Sequence, residues 1–92
     1  MILPIIFHVM INGNSISYEK DAKPIFKQRC EMCHNEDTPG LNWLDYNQAK
    51  DKSKEIRDHV WVKKDMPMNN ATHMTEQERK VIRDWVDQGC KK

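Results

Sequence analysis

Cys30-Glu31-Met32-Cys33-His34 places two thiols and an imidazole within one short run, and C-x-x-C-H is the attachment sequence of a c-type haem. Two thiols at this spacing can each form a thioether to one porphyrin vinyl group, and the adjacent imidazole then reaches the iron. The motif predicts one covalent haem c on Cys30 and Cys33, with His34 as an axial metal ligand. Other uses of the same residues match less well. A structural zinc site takes four Cys or His ligands, commonly in two close pairs. Here the only further cysteine is Cys90, and no second C-x-x-C or H-x-x-x-H pair occurs. A thioredoxin-like dithiol needs a βαβ setting, whereas the residues around Cys30 are polar, helix-forming and short of β-branched runs.

The second axial position points to the stretch Asp65 to Met74, D-M-P-M-N-N-A-T-H-M, where Met66, Met68 and Met74 compete. A thioether is a soft donor, and His/Met ligation raises the reduction potential of a haem relative to bis-His ligation. Met66 precedes Pro67, which lacks an N–H and restricts the residue before it. That stiffens the loop where a ligand must be held. Met68 and Met74 read as adaptable packing against the porphyrin. His59 and His73 read as surface imidazoles, although either one on the iron would give a low-potential bis-His haem instead. His8 sits in a leader-like run away from the site. Trp43 and Trp61 are candidate indole donors to a haem propionate, with Trp43 preferred as a cofactor-binding residue. Arg29, Asn69 and Asn70 are further hydrogen-bond partners for a propionate or for the loop.

These groups need elements to position them, and the chain supplies helix signals only. Asp21 to Arg29 carries Ala22, Ile25 and Phe26 at helical offsets, with Pro24 in the first turn where its missing N–H does no harm; this helix delivers Cys30. Asn35 to Gly40 is rich in turn formers, and Leu41 to Leu44 offers apolar contacts beyond it. A second helix is expected from Asn47 or Gln48 to about Val62, with Ile56, Val60 and Trp61 inward and the polar run Lys50 to Lys54 as a solvated face. Thr75-Glu76-Gln77-Glu78 matches a capping box. Val81, Ile82, Trp85 and Val86 then form one apolar stripe, and Gly89 is a natural stop. The expected fold class is all-α, three or four short helices around one prosthetic group.

Composition sets the remaining bounds. The 92 residues allow one domain, and 38% hydrophobic against 32% charged residues is thin for a core made of side chains alone. A bound porphyrin would supply the missing apolar centre. The formal charge of +1 gives no electrostatic basis for nucleic-acid binding. Residues 1–17 differ from 18–92: Met1 to Ile11 is apolar and uncharged, too short to span a bilayer, and resembles the h-region of a secretory signal with Ser15-Ile16-Ser17 as a cleavage candidate. It lacks a basic n-region, so the alternative is a retained apolar segment contacting a membrane or partner through residues 1–11.

The chain resembles the small class I cytochromes c over roughly residues 18–90. The matching features run in that family's order: a helix with Pro24-Ile25-Phe26, the motif Cys30 to His34, a Met66-Pro67 loop similar to M-P-x-x-N-x-T-x-M-T, and a final helix with Glu78-Arg79 and Trp85. The resemblance implies a class I cytochrome c fold, Met66 as the distal metal ligand, and Trp85 packed on Phe26 where the first and last helices cross. It also implies haem attachment outside the cytoplasm, hence a periplasmic or otherwise extracytoplasmic protein. The implied function is one-electron transport between a redox protein donor and acceptor, with no enzyme activity of its own. Lys50, Lys52, Lys54, Lys63 and Lys64 are candidates to orient such a partner. Two alternatives remain open: a cytochrome c subunit of a larger oxidoreductase complex, which the apolar N-terminal segment favours, and a CO- or NO-binding haem sensor with a labile or non-Met distal ligand. Cys90 stands where the family often has a small residue, and reads as a free thiol or an intermolecular disulfide.

Overall fold

In the computed structural model, which describes residues 15–92, the helical chain begins before Asp21, because Ser17 caps it. The Ser17 hydroxyl accepts from the Lys20 N–H, and the Ser17 N–H donates to Asp21, satisfying open groups of the first turn locally. A π-helical turn, Tyr18–Ala22, runs directly into α1, Lys23–Arg29, with Pro24 at its start. Tyr18, Ala22, Ile25 and Phe26 thereby share one buried face at helical spacing. Ile16 also packs on the core, so the folded unit takes in residues just before the expected boundary at 18. The Met1 to Ile11 segment, read as signal-like or retained, lies outside the described residues.

The expected second helix is divided. α2, Tyr46–Asp51, starts on Asp45, whose carboxylate accepts from the Gln48 N–H. Lys52 then leaves the helical region at φ −104°, ψ 17°, and is followed by α3, Ser53–Arg57, and a π-helical turn, Asp58–Val62. Ile56 and Val60, four residues apart, face inward as expected. The polar run Lys50 to Lys54 is solvated only in part: the break at Lys52 turns the chain so that Ser53 is buried and Lys52 half-buried.

α4, Glu76–Asp87, has the predicted capping box. Thr75 Oγ1 accepts from the Glu78 N–H at 3.1 Å, and Glu78 Oε1 accepts from the Thr75 N–H at 2.9 Å. The helix stops at Gly89, φ +100°, where the Gly89 N–H donates to Val86 O and the Cys90 N–H to Trp85 O, the paired bonds of a glycine-terminated helix. Ile82 and Trp85 are buried, with Val81 and Val86 flanking them half-buried.

The core gathers where α4 packs against α3, the 58–62 turn and the 18–22 turn. Its largest fully buried side chains are Trp85, Tyr18, Phe26 and Ile82, and Phe26 stands edge-on to Trp85 with ring centroids 5.8 Å apart. The chain's last carbonyls close the structure: Lys91 O and Lys92 O accept from the Tyr18 and Glu19 N–H groups at 2.7 and 2.9 Å. Cys90 beside them is 5% exposed, so its free thiol is buried in the core and is not presented for an intermolecular disulfide. The described residues form an all-α domain without strands, and no helix among them is long and apolar enough to cross a membrane.

Candidate functional site

α1 is anchored by Phe26 and ends at Cys30, whose N–H still donates to Phe26 O. Cys30 O then accepts from the N–H groups of both Cys33 and His34, at 3.1 and 2.9 Å, which folds the motif into a single turn. The His34 ring is fixed from two directions. Its Nδ1 lies 3.1 Å from Leu41 O; a carbonyl only accepts, so Nδ1 carries the proton and Nε2 keeps its lone pair. The ring also stacks on Trp43, centroids 4.6 Å apart and 21° from parallel, and Trp43 O accepts from the Tyr18 hydroxyl at 2.8 Å. Core packing is thus transmitted to the imidazole. Burial pushes the His34 pKa below its ordinary value, against a smaller opposing effect of the Leu41 carbonyl, so at neutral pH this residue is an uncharged donor.

The two thiols differ. Cys33 is exposed, whereas Cys30 is half-buried, and burial, reinforced by Cys33 and partly opposed by Arg79, pushes its pKa up to about 12. Reactive dithiols and metal-binding thiolates depend on lowered values, and Cys30 is poised the other way. Among the described residues no three of His, Cys, Asp and Glu gather as a cation site.

Cys30, Cys33, His34, Leu41 and Trp43 line one part of a cleft of about 420 Å³; Lys52, Ile56, His59 and Val60 line another, and Met66, Pro67 and Met68 a third. Cofactor sites commonly span roughly 300–1,000 Å³ with mostly apolar walls. Comparison with family models, with characterised proteins and with solved structures gives no match. The donor set itself suits a covalently held porphyrin, since it combines two thiols, a neutral imidazole with a free Nε2, and thioethers on one apolar cleft.

The three methionines separate clearly. Met66 is half-buried and lines the cleft, Met68 lines it while 67% exposed, and Met74 is a core residue at 4% exposure outside the cleft lining. Met74 therefore does not pack against a group in the cleft as expected. Asn70 accounts for this: its Oδ1 accepts from the Met74 N–H at 2.9 Å and its Nδ2 donates to Met74 O at 3.3 Å, pinning the backbone just before α4. His73 is exposed, but His59 is not the plain surface imidazole expected. It reaches the cleft, with Nδ1 2.8 Å from Asp65 Oδ1. Trp61 lies outside the cleft lining, its ring covered by Lys64 and Arg83, whereas Trp43 lines the cleft. Among the described residues the Trp43 indole N–H has no protein acceptor. Of the proposed steering lysines, Lys63 and Lys64 are paired with Asp58 and Glu76. Lys52 lines the cleft without an ion pair among the described residues, a position that becomes visible only with the helix break.

Arg29 links this site to α4. Its guanidinium donates to both Glu78 carboxylate oxygens, at 2.9 and 3.3 Å, and to Thr72 O, while the Thr72 hydroxyl donates back to Arg29 O. Partial burial pushes the Glu78 carboxyl up, but hydrogen bonds from Arg29 and Thr75 and the Arg29 charge outweigh it and hold the pKa below the ordinary 4.5. A lowered folded-state pKa contributes stability that is present above the unfolded value and lost as pH falls through the folded one. Glu78→Gln should therefore lower the melting temperature at pH 7 and converge on the wild type at acidic pH. A melting difference independent of pH would show that ionised Glu78 contributes nothing.

Proposed function

We propose that this chain is a class I cytochrome c domain that holds one haem c and passes single electrons between redox proteins outside the cytoplasm. The observation that carries the reading is His34, neutral and fixed by Leu41 O and Trp43, beside two cysteines on an apolar cleft that Met66 also lines. When bound, the haem supplies iron that alternates between ferric and ferrous states. The protein's part is to hold, orient and shield. Cys30 and Cys33 would hold the group through thioethers, His34 Nε2 and the Met66 sulfur would be its iron donors, and the indole N–H of Trp43 would be available to a propionate. Apolar walls from Leu41, Ile56 and Val60 exclude water. The partners are a redox donor and acceptor, either free or within a larger oxidoreductase complex.

One observation favours a second ligand set: His59 also lines the cleft, and its contact with Asp65 leaves Nε2 as the free donor atom. Absorption spectra of the intact ferric holoprotein decide between the two. With His/Met ligation the wild type shows the long-wavelength charge-transfer band of a Met-bound ferric haem, and Met66→Ala abolishes it. Persistence of the band in Met66→Ala would move the assignment to Met68, which also lines the cleft beyond Pro67. Absence of the band from the wild type, with a spectrum that changes in His59→Ala, would establish bis-His ligation. A ferrous form that takes up CO without displacing any protein ligand would favour the gas-sensor alternative over electron transport.

A further inference from the structure

Arg79 is 5% exposed and differs from the chain's other arginines. Arg29, Arg57 and Arg83 are each paired with a carboxylate, whereas Arg79 has no carboxylate partner among the described residues. Its contacts are all to neutral oxygens: Nη1 donates to Val60 O at 2.9 Å and to Met66 O at 2.7 Å, and Nη2 lies 3.4 Å from Asn70 Oδ1. A buried guanidinium without a counter-ion is costly to desolvate, and a core that needed only packing would be better served by an apolar side chain. What the planar fork supplies is fixed geometry. One nitrogen joins the carbonyl of Val60, from the 58–62 turn, to the carbonyl of Met66, from the following loop, and both residues line the cleft.

We propose that Arg79 is the positioning residue for the sixth-ligand loop, clamping the Met66 carbonyl against that of Val60 while leaving an unpaired positive charge beside the cleft. This rests on Met66 being the distal ligand. Loss of the clamp frees the loop, and loss of the charge favours the more positive, ferric state of the site.

The test is an imidazole titration of the ferric holoprotein, in which imidazole must displace Met66 to bind. Arg79→Lys, which keeps the charge but loses the fork, should bind imidazole about tenfold more tightly than the wild type, as expected for losing a charge-assisted hydrogen bond. Arg57→Lys, at an ion pair with Asp87 on the surface, serves as the control and should leave the affinity nearly unchanged. Arg79→Gln should in addition lower the midpoint potential below that of Arg79→Lys. Equal imidazole affinities in Arg79→Lys and Arg57→Lys would overturn the proposal. A wild type lacking the Met charge-transfer band would instead overturn the ligand reading, and this shows before any variant is made. If Arg79→Lys yields no holoprotein, proton NMR of the wild type carries the test. The Arg79 guanidinium protons should be resolved and slow to exchange, and should exchange faster once imidazole is bound; exchange unaffected by imidazole would overturn the clamp.

Discussion

A chain in which Cys30 and Cys33 are both replaced by alanine is expected to release all of its haem on denaturation, whereas the wild type keeps the colour on the polypeptide through denaturing electrophoresis. On the proposed reading the difference arises because two thioethers would turn cofactor binding into an intramolecular property. Once they are gone, stabilisation by haem follows RT ln(1 + [L]/Kd) and depends on free haem concentration. The melting temperature of the double variant should therefore rise with added haem, while that of the wild type should not. The effect is expected to be large because the aromatic core leaves the apolar cleft beside it unfilled by side chains. A domain of under 100 residues buries only about 60–70% of the surface its unfolded chain exposes, and a cleft of about 420 Å³ with apolar walls remains to be covered. Haem that stays on the alanine chain through denaturation would refute covalent attachment at these cysteines. Haem lost from the wild type would refute it equally.

What could be read from the residues alone was local chemistry. The capping box at Thr75, the glycine stop at Gly89 and the proline in the first turn of α1 each depend on groups within a few residues of one another, and each occurs as expected. The apolar stripe of α4 and the inward pair Ile56 and Val60 followed from periodicity. The Phe26–Trp85 contact had a different source, since it was implied by the family resemblance.

Features that depend on distant partners were hidden. Tyr18 looks like a polar aromatic ahead of a helix, yet it is buried because its hydroxyl finds Trp43 O and its N–H finds Lys91 O. Met66 and Met74 are indistinguishable as residue types. Their separation rests on Asn70, which holds a positive φ of 48°, a conformation that asparagine tolerates better than most residues, and uses its side-chain amide to bind Met74. His59 reads as a surface residue in a continuous amphipathic helix, and the break at Lys52 moves that segment onto the cleft. Arg79 offers no sequence signal beyond its place in the family's final helix, because a charged residue on a polar-rich helix is ordinarily solvated.

Trp85→Ala is expected to be the most destabilising single substitution in the described core, and its effect should reach the cleft. Trp85 is fully buried, touches Phe26 edge-on and Tyr18 at 5.8 Å, and donates its indole N–H to Lys91 O at 3.0 Å. Truncating a buried tryptophan to alanine typically costs about 3–5 kcal/mol, a large share of the roughly 5–15 kcal/mol that holds a domain together. For a chain of this size each kcal/mol shifts the melting temperature by about 4–8 °C, so the fall should exceed roughly 12 °C. Trp85→Phe keeps most of the ring volume but loses the bond to Lys91 O, and should cost about 1–3 kcal/mol. The loss should also propagate: Phe26 leans on Trp85 and anchors the end of α1 that presents Cys30, so α1 and α4 should separate before the rest of the chain unfolds. Thermal melts of the ferric holoprotein followed both by helical circular dichroism and by the Met charge-transfer band test this. In Trp85→Ala the band should disappear at a lower temperature than the helix signal. A melting temperature within the range of an ordinary surface substitution would show that the aromatic cluster is not what holds α1 to α4.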